Sequence, residues 1–128
     1  KAKVASNLFS HERQAEADMK TGPGAWFVQT GCFVCHSIAA LKVRSPAQIG
    51  PDLSTAVEDT QKRFGLTVDQ FLKNPTGTMS VVLSRQIVLT PEQKETAIQK
   101  LREAFAEYQR LVAEGKNPLA PPVEGAPQ

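Results

Sequence analysis

The 128-residue sequence has only two cysteines, two histidines, two methionines, one tryptophan and one tyrosine. Two cysteines cannot form the multi-bridge framework that supports small secreted domains with little core. No apolar run approaches the roughly 20 residues that a bilayer-spanning helix needs, so the chain as it stands is expected to be soluble. The formal charge is only +2, and the basic residues are scattered instead of gathered into a stripe, which sets nucleic-acid binding aside. No stretch alternates apolar and polar residues for long enough to make a strand. The chain starts at Lys1 with neither an initiator Met nor a signal-peptide pattern, as expected of a processed mature form or an excised domain. It contains no internal repeat.

The length suits one domain. Residues 1–20 are polar with sparse apolar positions and suggest a short or fraying helix, which Thr21-Gly22-Pro23-Gly24 interrupts. A helix is expected from Ala25 through the cysteines, anchored by Trp26 and Phe27. Residues 37–66 look loop-like, with one helical turn near 54–62. Thr67-Val68-Asp69-Gln70 has the form of a capping box, predicting a helix from Val68 to Lys73 that Pro75 ends. Thr76-Gly77-Thr78-Met79 is expected to be irregular. A second capping box, Thr90-Pro91-Glu92-Gln93, opens a long helix with Ala97, Ile98, Leu101, Ala104, Phe105, Tyr108, Leu111 and Val112 along one face. Gly115 and Pro118 mark its end. These segments predict an all-α protein with an N-terminal extension (1–21), a single domain (22–115) and a Pro/Ala-rich tail or linker (116–128).

Cys32 and Cys35 stand three apart, with His36 directly after them. C-x-x-C-H is a haem-attachment signature. Each thiol can add to one vinyl group of haem, and the histidine can offer a ring nitrogen to the iron. A flat cofactor would also fill core volume that the low aromatic fraction, 6%, leaves open. Three other readings stay open. A redox dithiol wants a thioredoxin-like setting with strands. A zinc site needs a fourth ligand, for which His11 is the available residue. A disulfide across two intervening residues would be strained. If haem is bound, the second axial ligand comes from Met79, Met19 or His11. Met79 is favoured, since it lies 43 residues beyond His36 and can wrap to the far face.

The string from Phe27 and Gly31 through Cys32-Phe33-Val34-Cys35-His36 precedes Gly50-Pro51-Asp52-Leu53. Phe71-Leu72-Lys73-Asn74-Pro75 then leads to Met79, and the long C-terminal helix comes last. Over roughly residues 22–114 the chain resembles the class I, mono-haem cytochrome c family. The resemblance implies a small cytochrome c fold, its first and last helices packed across each other around one covalently bound haem c. In that arrangement Phe27 packs against residues such as Leu101 and Phe105. It also implies that the Pro51 carbonyl accepts a hydrogen bond from His36, that Arg63 binds a haem propionate, and that His36 and Met79 ligate the iron. Ser80 departs from the pattern, since many relatives have proline there.

The function this implies is a one-electron carrier in a respiratory-type electron-transfer chain, not an enzyme, because no general base or second metal site accompanies the motif. Ile38, Leu53, Phe64, Phe71, Val81 and Val82 are expected to wrap the cofactor. The alternatives are a haem-based gas sensor or ligand-binding module and the electron-entry domain of a larger oxidoreductase. Haem attachment of this type takes place outside the cytoplasm, so a periplasmic or equivalent location is expected. The expected donor is a quinol-oxidising complex and the acceptor a terminal oxidase or reductase, with room for a membrane tether in a full-length chain.

Overall fold

The computed structural model describes residues 17–119. The chain is mostly helical there, with no β-strand among the described residues and one isolated antiparallel bridge, Ile38 to Val43. The helix expected over residues 1–20 lies largely outside the described residues. From 17 to 21 the chain is helical, Thr21 donates its hydroxyl to the Ala17 carbonyl (2.8 Å), and Met19 packs against the core.

Helix α1 is Ala25–Thr30. It does not continue through the cysteines as the sequence suggests. Gly31 adopts a left-handed backbone (φ 92°) that an L side chain would strain, and a separate 3₁₀ turn, Cys32–Val34, begins there. Short 3₁₀ turns at Ala39–Leu41 and Leu53–Thr55 bracket the next loop. Helix α2, Ala56–Phe64, is a full nine residues where the sequence suggests only one turn. Its apolar pattern is thin, with only Ala56 and Thr60 buried. Val57 packs half-buried on the core and Phe64 stacks on Phe71, while Glu58 and Asp59 at one end and Lys62 and Arg63 at the other suit the helix dipole.

Helix α3 is Val68–Lys73, the range its capping box predicts. Thr67 Oγ1 accepts from the Gln70 amide (3.2 Å), while Gln70 Oε1 accepts from the Thr67 amide (2.9 Å). Asn74 leaves helical geometry just before Pro75. The segment expected to be irregular instead becomes α4, Thr78–Val81, and runs into a π-helical turn, Val82–Gln86. Helix α5, Pro91–Ala113, has the second reciprocal capping box. It closes with Gly115 N–H to Val112 O (3.0 Å) and Lys116 N–H to Leu111 O (2.8 Å), a Schellman pattern.

The buried face of α5 is Ala97, Ile98, Leu101 and Ala104. It narrows beyond them: Phe105, Tyr108 and Leu111 are half-buried and Val112 is exposed. The helix packs on the two 3₁₀ turns 39–41 and 53–55 and on α2 and α3. Phe27 and Leu101 share one core cluster, whereas Phe105 stands outside it and stacks with Tyr108. The packing of α5 is therefore with the middle of the chain more than with α1. Ion pairs Arg102–Asp69 and Lys73–Glu95 tie α5 to α3 at the surface, where such pairs contribute little.

This packing sets the cost of two substitutions. Leu101→Ala opens a cavity at the centre of the cluster and is expected to cost about 2–5 kcal/mol, read from the denaturant midpoint. Thr60 Oγ1 is buried with no hydrogen-bond partner among the described residues. Thr60→Val keeps the shape and removes that orphan hydroxyl, so the same measurement is expected to show a gain of about 1 kcal/mol.

Candidate functional site

Gly31 redirects the chain so that Cys32 begins a tight turn. The Cys32 carbonyl accepts from both the Cys35 amide (3.3 Å) and the His36 amide (3.1 Å), which holds the two cysteines and the histidine on one turn. Both cysteines are free thiols and partly buried. Burial pushes the Cys32 thiol above its ordinary value of 9.0, against a weaker pull from a hydrogen bond with Thr30. A redox dithiol needs the opposite shift in its attacking sulfur. Because the folded state holds this proton more tightly, its stabilising contribution is full below the ordinary thiol value. It is lost as pH climbs through the raised one. The chain with free thiols is therefore expected to lose stability above pH 9.0, and Cys32→Ser is expected to flatten that decline in a pH series of unfolding curves.

His36 is fixed by what lies on both sides of it. Its Nδ1 donates to the Pro51 carbonyl at 2.7 Å. A carbonyl only accepts, so Nδ1 is the donor in this contact, and Nε2 is the ring nitrogen that Pro51 does not engage. Gly50 lies against the imidazole ring. A Cβ there would fall 2.2 Å from Cε1, 2.6 Å from Nδ1 and 2.8 Å from Nε2 of His36. The Gly50 amide donates to the Cys35 carbonyl at 2.8 Å, and the Leu53 amide to the Ser37 carbonyl at 2.8 Å. Asp52 accepts from the Ala39 amide (3.1 Å) and the Ser54 amide (2.8 Å), and Ser54 Oγ accepts from the Ala40 amide (2.9 Å). Residues 50–54 are thereby stitched to 35–40. The sequence points to Pro51 but not to Gly50, Asp52 or Ser54 as supports. Asp52 two residues ahead of Ser54 is a capping pattern that a closer search could find.

The remaining sequence-predicted residues lie on other elements. Arg63 is exposed near the end of α2, its guanidinium 5.4 Å from the Phe64 ring centre. Met79 is the second residue of α4 and half-buried, on a helix and not on the loop expected for it. Met19 is committed elsewhere, its sulfur accepting from the Arg44 amide at 3.4 Å. His11 lies outside the described residues. Among the six apolar residues expected to wrap a cofactor, Ile38 and Phe71 are buried in the protein itself, and Leu53 and Val82 are half-buried. Phe64 and Val81 are exposed, as are Val34 (49%) and Ile49 (77%) beside the Cys-Cys-His turn. Ile87 closes on the base of that turn, its Cδ1 3.6 Å from where a Gly31 Cβ would stand.

No group of three or more His, Cys, Asp or Glu side chains among the described residues is placed to hold a metal ion. A groove of about 640 Å³ lies elsewhere, between α3 and α5, lined by Asp69, Ile98 and Arg102 among others. No helix among the described residues is long and apolar enough to cross a membrane. Comparison with protein-family models, with curated proteins and with solved structures finds no match to this chain.

Proposed function

We propose that the chain holds one haem c covalently through Cys32 and Cys35 and serves as a one-electron carrier of the class I cytochrome c type. The observation that carries this reading is His36. Its Nδ1 is held by the Pro51 carbonyl, which leaves Nε2 as the ring nitrogen able to face an iron, one turn from two free thiols. The residues fit such a group. The thiols would supply two thioether sulfurs, His36 Nε2 one axial ligand, and Met79 the other. The exposed side chains of Val34, Ile49, Phe64 and Val81 would gain an apolar surface to cover. Arg63, beside Phe64, would pair with a propionate.

When bound, the haem supplies an iron that changes oxidation state by one electron. The protein's part is to orient and to exclude water. Pro51 fixes the His36 ring and, by drawing on Nδ1–H, makes Nε2 a stronger donor. The Met79 thioether, as a soft ligand, would favour the reduced metal. A redox partner would approach an exposed haem edge near Cys32 and Cys35. The partners would be a quinol-oxidising donor and a terminal oxidase or reductase as acceptor, in the periplasm or an equivalent compartment.

One observation favours a second reading, a haem-based gas sensor. Met79 stands just ahead of the π turn 82–86, and such turns recur at functional sites. Absorption spectra of oxidised and reduced protein, with and without carbon monoxide, separate the two. The carrier gives a sharp reduced c-type spectrum, indifferent to carbon monoxide. A spectrum that shifts readily on adding the gas would favour the sensor. No haem spectrum, from a host able to attach haem, would remove both.

A further inference from the structure

Ser45 lies in the loop between the Ile38–Val43 bridge and Gly50, and only 1% of it is exposed. Its hydroxyl donates to the Val34 carbonyl at 2.7 Å and accepts from the Gln48 amide at 3.0 Å. Its own amide donates to Ser37 Oγ at 2.8 Å. One buried oxygen thus ties both sides of the His36–Pro51 contact. Val34 stands two residues before the donor, and Gln48 three residues before the acceptor. A hydroxyl is the group that can give one hydrogen bond and take another at the same point.

The turn this oxygen closes is strained. Gln48 has a left-handed backbone, φ 50°, which is uncommon for a residue that is not Gly, Asn or Asp. Such conformations persist only where the surroundings impose them. Here the bond from the Gln48 amide to Ser45 holds the turn, and two residues later Gly50 meets the Cys35 carbonyl and the His36 ring. There is no slack between Ser45 and Pro51, because Gly50 already lies against the imidazole.

We propose that Ser45 is a positioning residue for His36. Through Val34 and Gln48 it sets the geometry of the Nδ1–H to Pro51 hydrogen bond, and so the strength of His36 as an axial donor. The effect on donor strength rests on the haem reading, whereas the effect on the hydrogen bond concerns only this chain's own atoms. A weaker bond at Nδ1 leaves the imidazole a poorer donor, which stabilises the oxidised metal less and raises the reduction potential.

The test compares wild type, Ser45→Ala and Thr60→Val, each expressed with haem attachment. Nitrogen-15 NMR of the purified protein tracks exchange of the His36 Nδ1 proton, and spectroelectrochemistry reads the potential. Ser45→Ala is expected to speed that exchange about tenfold, as the loss of one buried hydrogen bond allows, and to shift the potential upward. Thr60→Val removes a buried hydroxyl on α2, outside this loop, and is expected to leave both readouts unchanged. If Ser45→Ala does not fold, Ser45→Cys keeps a weak donor in place and is expected to give smaller shifts of the same sign. A Ser45 variant that unfolds more easily while both readouts match wild type would reduce Ser45 to a structural clip and overturn the proposal. The proton-exchange arm is read whether or not haem is present, and the absorption spectrum reports haem independently. A failure of the haem reading is thus told apart from a failure of this one.

Discussion

Gly50→Ala is expected to release His36 from Pro51 and to destabilise the protein well beyond Gly65→Ala. The added Cβ would stand 2.2 Å from His36 Cε1 and within 3 Å of both ring nitrogens, so one side must move. The ring cannot swing aside without losing its hydrogen bond to Pro51 (2.7 Å). The loop cannot retreat without losing the Gly50–Cys35 bond (2.8 Å). Overpacking alone costs about 1–3 kcal/mol, and the lost hydrogen bond adds about 1 more. Gly65 is the natural control. It has a left-handed backbone, φ 66°, but nothing within 4 Å of its would-be Cβ, so Gly65→Ala is expected to cost only about 1 kcal/mol. Denaturation midpoints of the two variants give the comparison. A Gly50→Ala protein as stable as Gly65→Ala, with its His36 Nδ1 proton still protected, would show that the ring is not clamped.

Met79→Ala is expected to change the colour and the potential of the protein while leaving its fold nearly intact. Met79 is half-buried at the start of a four-residue helix, so truncating it removes little packing. If its sulfur ligates the iron, three effects appear together. The weak far-red band of the oxidised protein disappears, carbon monoxide binds to the reduced protein, and the potential falls. That fall should be a sizeable part of the roughly 0.8 V span that axial ligands control. Met19→Ala should do the reverse. Met19 packs on the core and accepts from the Arg44 amide (3.4 Å), so its loss should lower stability and spare the far-red band. Should the band vanish in Met19→Ala and survive in Met79→Ala, the ligand assignment would have to be exchanged.

How much of the fold and site is legible in the sequence varies element by element, for physical reasons. Helices α3 and α5 can be placed because their start signals are local. A Thr with Gln three residues later satisfies two backbone amides on its own, and both boxes form as written. The all-α character comes from the same reasoning. Helix α2 escapes a full sequence reading because its buried side is only an Ala and a Thr, too little for an apolar period. The break at Gly31 escapes it because a glycine inside a helical pattern does not announce its backbone angle. The helix under Met79 is hidden because Pro75 and Gly77 punctuate the chain just before it, and the π turn just after it has no simple repeat. The three motif residues stand out by their spacing, and the Pro51 contact is what the family resemblance implies. Most of the support beneath them cannot be read that way. Ser37, Ser45 and Ser54 act through backbone groups distant in sequence, and such small polar residues in a loop leave no pattern to detect, whereas the Asp52–Ser54 cap is local.

Everything proposed for the iron depends on whether haem is covalently attached through Cys32 and Cys35. Protein made in a host with a haem-attachment system would be extracted with acidified acetone, then examined by intact mass and by its alkaline pyridine spectrum. The wild-type chain is expected to keep its colour, gain the mass of one haem, and give the spectrum of a haem whose two vinyl groups are saturated. The Cys32→Ser, Cys35→Ser double variant should surrender any haem to the solvent. A wild-type chain that leaves the extraction colourless, at the mass of the bare polypeptide, would refute covalent attachment and the carrier function built on it.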